Sequence, residues 1–244
     1  PAIRPAIRPA MTGKLMRKSI FSIFGIGLLS LLGLVGCTGQ EDVSEIPFFK
    51  GEDLTPVWVS AVSRGSTRDT IDLRKIGSFA LTDQSGTVVS DSSMHGQIYV
   101  ASFFFVECKD ICPTLRTRLT SVQKAFGVDE VAILSHSVMP EADSVERLAA
   151  YSKINNINAA QWHLLTGDKN SIYNLATSSY GVKLTRQTDY AKGEPDFLHT
   201  ETFYLVDGDG YIRGLYNGTL QFETERLLED ARLLVQEKLA DELR

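Results

Sequence analysis

Ile98-Tyr99-Val100-Ala101-Ser102-Phe103-Phe104-Phe105 runs directly into Val106-Glu107-Cys108-Lys109-Asp110-Ile111-Cys112-Pro113, and the reading of this stretch decides the fold. Its first eight residues are nearly continuous apolar sequence, rich in β-branched and aromatic types. Such a run suits a strand buried on both faces at the centre of an α/β sheet. Beyond it Leu115, Leu119, Val122 and Phe126 recur at helical spacing until Gly127. Proline is best tolerated in the first turn of a helix, so this helix starts at or just before Pro113. Cys108 and Cys112 therefore lie where a buried strand passes into the mouth of a helix. A thiolate there faces the positive end of the helix dipole and unpaired backbone N–H groups, which predicts a lowered thiol pKa.

Working outward, residues 78–81 and 87–90 flank the turn-forming quartet Asp83-Gln84-Ser85-Gly86 and read as an N-terminal hairpin. Downstream, residues 131–135 form a second buried strand. Residues 141–154 form a helix with Val145, Leu148 and Tyr151 on one face. Residues 163–165 make a short strand, and Asp168 caps a helix through Ala176. Residues 201–206 and 211–216 are strands about Asp207-Gly208-Asp209-Gly210, and a final helix covers residues 224–239. Alternating strands and helices indicate one α/β domain.

The N-terminal part reads differently. Residues 1–10 repeat Pro-Ala-Ile-Arg and carry no helical or strand period. Either Met11 or Met16 is the start, and Met16 gives the tidier signal: Arg17-Lys18, an apolar run of sixteen residues from Ile20 to Val35, then Leu34-Val35-Gly36-Cys37. Sixteen residues are short for a membrane span, which takes about 20. The arrangement resembles a bacterial lipobox, in which the cysteine becomes the lipidated first residue of the mature protein. Cys37 is thus the expected lipidation site, and the domain is expected outside the cytoplasm, anchored to a membrane of the bacterial cell envelope. Residues 1–37 divide off as extension and signal peptide, residues 38–56 as a polar tether, and residues 57–244 as the domain. Of the 244 residues, 43% are hydrophobic, enough for an ordinary core, and the formal charge is −5. Five basic and no acidic residues fall in residues 1–37, so the remainder holds 20 basic against 30 acidic residues. An acidic body repels phosphate backbones, which argues against nucleic acid as a partner and for basic surfaces on other proteins.

With Cys37 assigned to the anchor, Cys108 and Cys112 remain as an isolated pair. A disulfide scaffold needs more cysteines, widely spread, and a bridge between neighbours closes too small a loop to stabilise much. The pair is there for chemistry, as redox-active thiols or metal ligands.

Phe103-Phe104-Phe105 followed by Cys-x-x-x-Cys-Pro resembles the core motif of the Sco/SenC family. Ile133-Leu134-Ser135-His136-Ser137-Val138-Met139-Pro140-Glu141-Ala142-Asp143-Ser144 is similar to its strand-to-helix segment. Leu164-Leu165-Thr166-Gly167 is similar to its next turn, and Leu198-His199-Thr200 to its histidine loop before Phe203-Tyr204-Leu205-Val206-Asp207. The likeness runs in order through residues 78–219. It implies a thioredoxin-like fold, with a central mixed β-sheet flanked by helices. It also implies a Cys2His copper site made by Cys108, Cys112 and His199, and a role in assembling the dinuclear copper centre of cytochrome c oxidase. The partner so implied is the oxidase's copper subunit, subunit II, or another cuproprotein client.

The donor chemistry agrees: two thiolates favour soft Cu(I), and an imidazole helps accommodate Cu(II). Zinc takes the same donor set, and the resemblance decides for copper. The chain departs from the family at Met139 and Leu198, each standing where an aspartate is usual. Met139 reads as filler with a minor prospect of ligation. Among the other histidines, His136 reads as a hydrogen-bonded structural residue or an outer partner of the site, His95 as exposed and His163 as core or edge packing. Asp207-Gly208-Asp209-Gly210 lacks the later acidic ligand of a calcium loop and reads as a turn. The leading function is a copper metallochaperone. The rival is a thiol-disulfide oxidoreductase of the cell envelope without obligate metal, with Cys108 as the attacking thiol.

Overall fold

A seven-residue strand with every residue buried, Ile98–Phe104 (here β5), stands at the middle of the sheet, as its unbroken apolar sequence requires. The computed structural model describes residues 46–58, 71–183 and 200–243. Two short antiparallel pairs precede β5: β1 (Phe48–Lys50) with β2 (Thr55–Val57), and β3 (Ala80–Thr82) with β4 (Val88–Ser90). After it come α1 (Cys112–Ala125), β6 (Val131–Ser137), α2 (Val145–Ile154), β7 (Trp162–Leu165) and α3 (Lys169–Ser178). The last elements are β8 (Thr202–Val206), β9 (Ile212–Asn217) and α4 (Gln221–Glu242).

The main sheet has the order β7-β6-β5-β8-β9. β5, β6 and β7 run parallel, while β8 and β9 are antiparallel to their neighbours, so the sheet is mixed. Register follows the pleat. Ile98, Val100 and Phe104 enter one core with Leu115, Leu119 and Val122 of α1, Leu148 of α2 and Leu227, Ala231 and Leu234 of α4. Tyr99, Ala101 and Phe103 enter the core on the opposite face with Ile172, Leu175 and Ala176 of α3 and Leu81 and Val89 of the β3–β4 hairpin. Both faces are covered, which is why β5 and β6 read as apolar runs rather than alternating ones. This is the thioredoxin-like arrangement, with an N-terminal hairpin, that the resemblance implies.

Local rules hold at the turns. Gly86 (φ +79°) and Gly210 (φ +86°) occupy the left-handed region that the β3–β4 and β8–β9 turns need and that side chains with a Cβ resist. Most boundaries shift by one or two residues, β6 running to Ser137 and α3 to Ser178, and three differences are larger. α2 begins at Val145, four residues later than read, because the Ser144 side chain caps it by accepting from the Arg147 N–H. α4 extends beyond residues 224–239 at both ends. Packing also begins inside the 38–56 stretch read as tether: Ile46 and Phe48 are buried, and β1 and β2 lie within or across it. The anchor is Arg213, itself buried, which donates to the carbonyls of Ile46 and Pro47 at 3.0 and 3.1 Å and lies 4.0 Å over the Phe48 ring.

Candidate metal and thiol centre

β5 ends at Phe104, and after seven intervening residues α1 begins with Cys112 as its first residue and Pro113 as its second. Because β6 and β7 run parallel to β5, the thiol pair sits at the carboxyl edge of these strands, an edge where α/β sheets commonly place ligands. Antiparallel β8 starts at that edge too, and its approach includes Thr200, whose hydroxyl accepts from the Thr202 N–H at 3.1 Å.

Cys112 is buried and Cys108 half-buried, and both are free thiols. Each lies within electrostatic reach of the other, so the two sulfurs are near neighbours. The thiol of Cys112 is pushed up to about 12, first by burial and then by the neighbouring Cys108 thiol, against the Phe105 backbone, which favours the thiolate. This is the reverse of the lowering expected of a thiol at a helix mouth. Burial overrides the dipole here because Cys112 points into the core of Phe104, Leu115 and Leu119 rather than out along the helix axis.

Tyr151 and Arg116 flank the pair. Arg116, one turn after Cys112, donates from Nη1 to the Tyr151 hydroxyl at 3.3 Å, and its guanidinium lies 5.9 Å over that ring. The Tyr151 pKa is raised, chiefly by burial, with Arg116 opposing and both thiols adding to it, which places the phenol within electrostatic reach of the sulfurs. A cavity of about 20 Å³ beside Cys112 is lined by Arg116, Tyr151, Ser102 and Ser135, among others. The two serine hydroxyls hydrogen-bond at 2.8 Å, and the Trp162 indole N–H donates to Ser135 at 2.9 Å. Sequence reading assigned Tyr151 only to a helix face and gave Arg116 no role. The available signal was the four-residue spacing from Cys112 to Arg116, which puts them on one face.

The other candidates separate from the thiols. His136 is fully buried on the opposite face of the sheet, stacked 5.1 Å from Phe103, with Nδ1 3.2 Å from the Ser102 carbonyl. It is the structural histidine of the two readings. His163 lies on β7 with Nδ1 3.0 Å from Asp83, and His95 is exposed. Met139 follows β6 and is 39% exposed, so it is not core filler. Asp207 accepts from the backbone N–H groups of Asp209 and Tyr211, which makes that loop a side-chain-braced turn. His199, Leu198 and Cys37 lie outside the described residues. Among the described residues no group of three His, Cys, Asp or Glu side chains is placed to hold a metal, and no helix is long and apolar enough to cross a membrane.

The SCO1/SenC family model matches residues 68–236, which include every element from β3 to β9 and the whole thiol loop. The chain belongs to the SCO1/SenC family. Solved structures of this family superpose on it. A SCO1/SenC family lipoprotein from Bacillus anthracis str. Ames is 25% identical with a TM-score of 0.58, covering 66% of this chain and 95% of that one. BsSco, described with a disulfide switch and as a member of the Sco family of cytochrome c oxidase assembly proteins, is 28% identical with a TM-score of 0.57, covering 67% and 94%. Copper-bound ScoI of Bradyrhizobium japonicum is 29% identical with a TM-score of 0.53, covering 65% and 98%.

Proposed function

We propose that this SCO1/SenC chain binds copper through Cys108, Cys112 and His199 and passes it to the copper subunit of cytochrome c oxidase or to another cuproprotein client. The observation that carries the reading is the pair of neighbouring free thiols at the strand-to-helix junction of a chain of this family. Two sulfurs suit Cu(I), and an imidazole from His199 would complete a set able to hold Cu(II). Burial that penalises a bare Cys112 thiolate stops opposing it once a bound cation displaces the proton, so copper uptake releases protons. The copper-bound ScoI structure and the oxidase-assembly role stated for the BsSco family support this reading. In the same reading residues 1–37 are extension and signal, Cys37 carries the lipid, and the domain stands outside the cytoplasm. The lipoprotein nature of the Bacillus anthracis relative supports that part.

A second reading, thiol-disulfide oxidoreductase, is favoured by two free thiols lying near each other. The Cys108 thiolate attacks a client disulfide, forming a mixed disulfide and releasing one client thiolate. Cys112, losing its proton, then attacks the Cys108 sulfur and frees the second thiolate. The pair gives up two electrons and two protons to the client and ends as the Cys108–Cys112 disulfide. Both roles can serve one client, since a copper-accepting thiolate site must be reduced. Replacing His199 by Ala separates them. The Cu(II) charge-transfer band should collapse and Cu(I) binding weaken less, while exchange with a small disulfide persists. A His199→Ala protein that keeps the full Cu(II) spectrum and supports oxidase assembly would move the oxidoreductase reading ahead.

A further inference from the structure

Cys112 is fixed by its place in α1, but Cys108 is carried by a loop, so the geometry of the pair depends on what holds that loop. Its first half is tied to Asp143, which precedes the cap of α2 and is only 1% exposed. Asp143 Oδ2 accepts from the Val106 backbone N–H at 3.1 Å and from the Ser137 hydroxyl at 2.6 Å. Ser137 Oγ in turn accepts from the Met139 N–H at 3.2 Å. The direction of this chain is determined: a carboxylate only accepts, so the single hydroxyl hydrogen of Ser137 points to Asp143 and its lone pair is left for Met139. One buried oxygen thereby joins the loop after β5 to the loop after β6, beside the backbone bond from the Val138 N–H to the Phe104 carbonyl at 2.9 Å. Outside it, Arg147 Nη2 donates to Glu107 at 2.6 Å while its Nε lies 3.9 Å from Asp143. That pair is half-exposed and contributes little by itself.

We propose that Asp143 is a positioning residue for Cys108, holding the thiol loop at the separation from Cys112 that metal binding and thiol exchange require. The anchored residue, Val106, is two positions before Cys108, with Glu107 between them held by Arg147. A buried carboxylate without donors is costly, whereas charge-assisted bonds are among the stronger hydrogen bonds. Asp143 therefore keeps its two donors in place rather than merely meeting them. The copper readout of the test rests on the function proposed above, and the alkylation readout does not.

The test compares the reduced wild-type protein with Asp143→Ala, Asp143→Asn and Leu175→Ala. Leu175 is buried in α3 on the other face of the sheet and serves as a control for lost stability alone. Each is titrated with copper, assayed for the iodoacetamide rate at Cys108 by mass spectrometry, and unfolded in urea. A partner bonded directly to a metal ligand is worth about ten- to a hundredfold in affinity; Asp143 acts through the backbone two residues before Cys108, so Asp143→Ala should show a loss of about tenfold together with a changed Cys108 rate. Asp143→Asn retains an acceptor oxygen and should fall between Asp143→Ala and wild type. Leu175→Ala should lower the unfolding midpoint and leave both thiol readouts at wild type. Wild-type values in Asp143→Ala, or equal losses in Leu175→Ala, overturn the proposal. If Asp143→Ala does not fold, Asp143→Asn decides, and values equal to wild type overturn it. If the wild type binds no copper through its cysteines, the copper reading falls. The Cys108 rate then judges Asp143 by itself: a change upholds the positioning role and no change overturns it.

Discussion

Acidification should destabilise the fold through His136 in a measurable and separable way. The imidazole is fully buried among Phe103, Phe79 and Tyr180, and loss of water lowers its pKa from 6.5 to about 4, only partly opposed by the Ser102 carbonyl. A base with a depressed native pKa is protonated first in the unfolded chain. Its stabilising neutrality is therefore whole above the unfolded value and is lost as the pH falls toward the native one. At pH 4.5 the unfolded state carries the proton and most native molecules do not, which from 6.5 and about 4 amounts to about 2.5 kcal/mol. Urea unfolding of the reduced, metal-free protein at pH 7 and pH 4.5 measures this against His136→Phe. An aromatic ring is kept, though a larger one; the lost bond to Ser102, about 1 kcal/mol, and any cost of the extra volume are the same at both pH values and cancel in the difference. Wild type should lose about 2.5 kcal/mol more than the variant between the two conditions. Parallel losses in both proteins would refute the reasoning, because they would mean that His136 titrates like an exposed histidine.

Oxidation to a Cys108–Cys112 disulfide should abolish copper binding until reduction, since no thiolate remains to coordinate. Stoichiometric, cysteine-dependent binding that survives complete oxidation, verified by mass spectrometry, contradicts this. Limiting iodoacetamide near neutral pH should label Cys108 before Cys112, because Cys112 is 6% exposed and its thiol is pushed up to about 12. Peptide mapping that finds Cys112 labelled first would count against the burial argument. Radiolabelled palmitate should attach to the wild type and not to Cys37→Ser, and equal labelling of both would falsify the lipobox reading.

The large elements were legible because each carried a pattern with a single physical meaning. β5 and β6 are apolar runs too short for helices. Asp-Gln-Ser-Gly and Asp-Gly-Asp-Gly are turns whose last residue needs positive φ, and Cys112-Pro113 marks a helix mouth. The β1–β2 pair escaped notice because its strands are as short as β3 and β4 but its turn ends on Leu54, not a glycine, at positive φ, so the same turn signal does not mark it. Nor could composition reveal that Arg213 is buried: its partners are Asp207 across the β8–β9 turn and, from other segments, Ile46 and Glu237. At the site, the thiol pair was readable from spacing, whereas the direction of the Cys112 pKa was not. The helix dipole is a local property visible in sequence, but desolvation depends on Phe104, Leu115 and Leu119 closing over the sulfur. Asp143 belongs to the same class, its significance residing in donors from Val106 and Ser137.

The two cysteines are held by different means, and that difference bears on both proposed chemistries. Cys112 begins a fourteen-residue helix whose face is packed in the core, so moving its sulfur means moving α1. Cys108 lies on a loop fastened by the Val106 N–H to Asp143 and by its own N–H to the Phe105 carbonyl at 3.2 Å, so its position depends on that loop and not on a helix. Passing between a metal-holding pair and a disulfide needs the sulfurs to approach to about 2 Å, and the loop-borne sulfur of Cys108 can bear that travel without moving α1. The same asymmetry orders any exchange with a client. The half-buried sulfur of Cys108 meets the incoming metal or disulfide first, and buried Cys112 completes the step from behind. A client therefore needs access to one sulfur only, which suits delivery across a protein–protein contact, where the second thiol stays shielded from solvent and stray oxidants throughout.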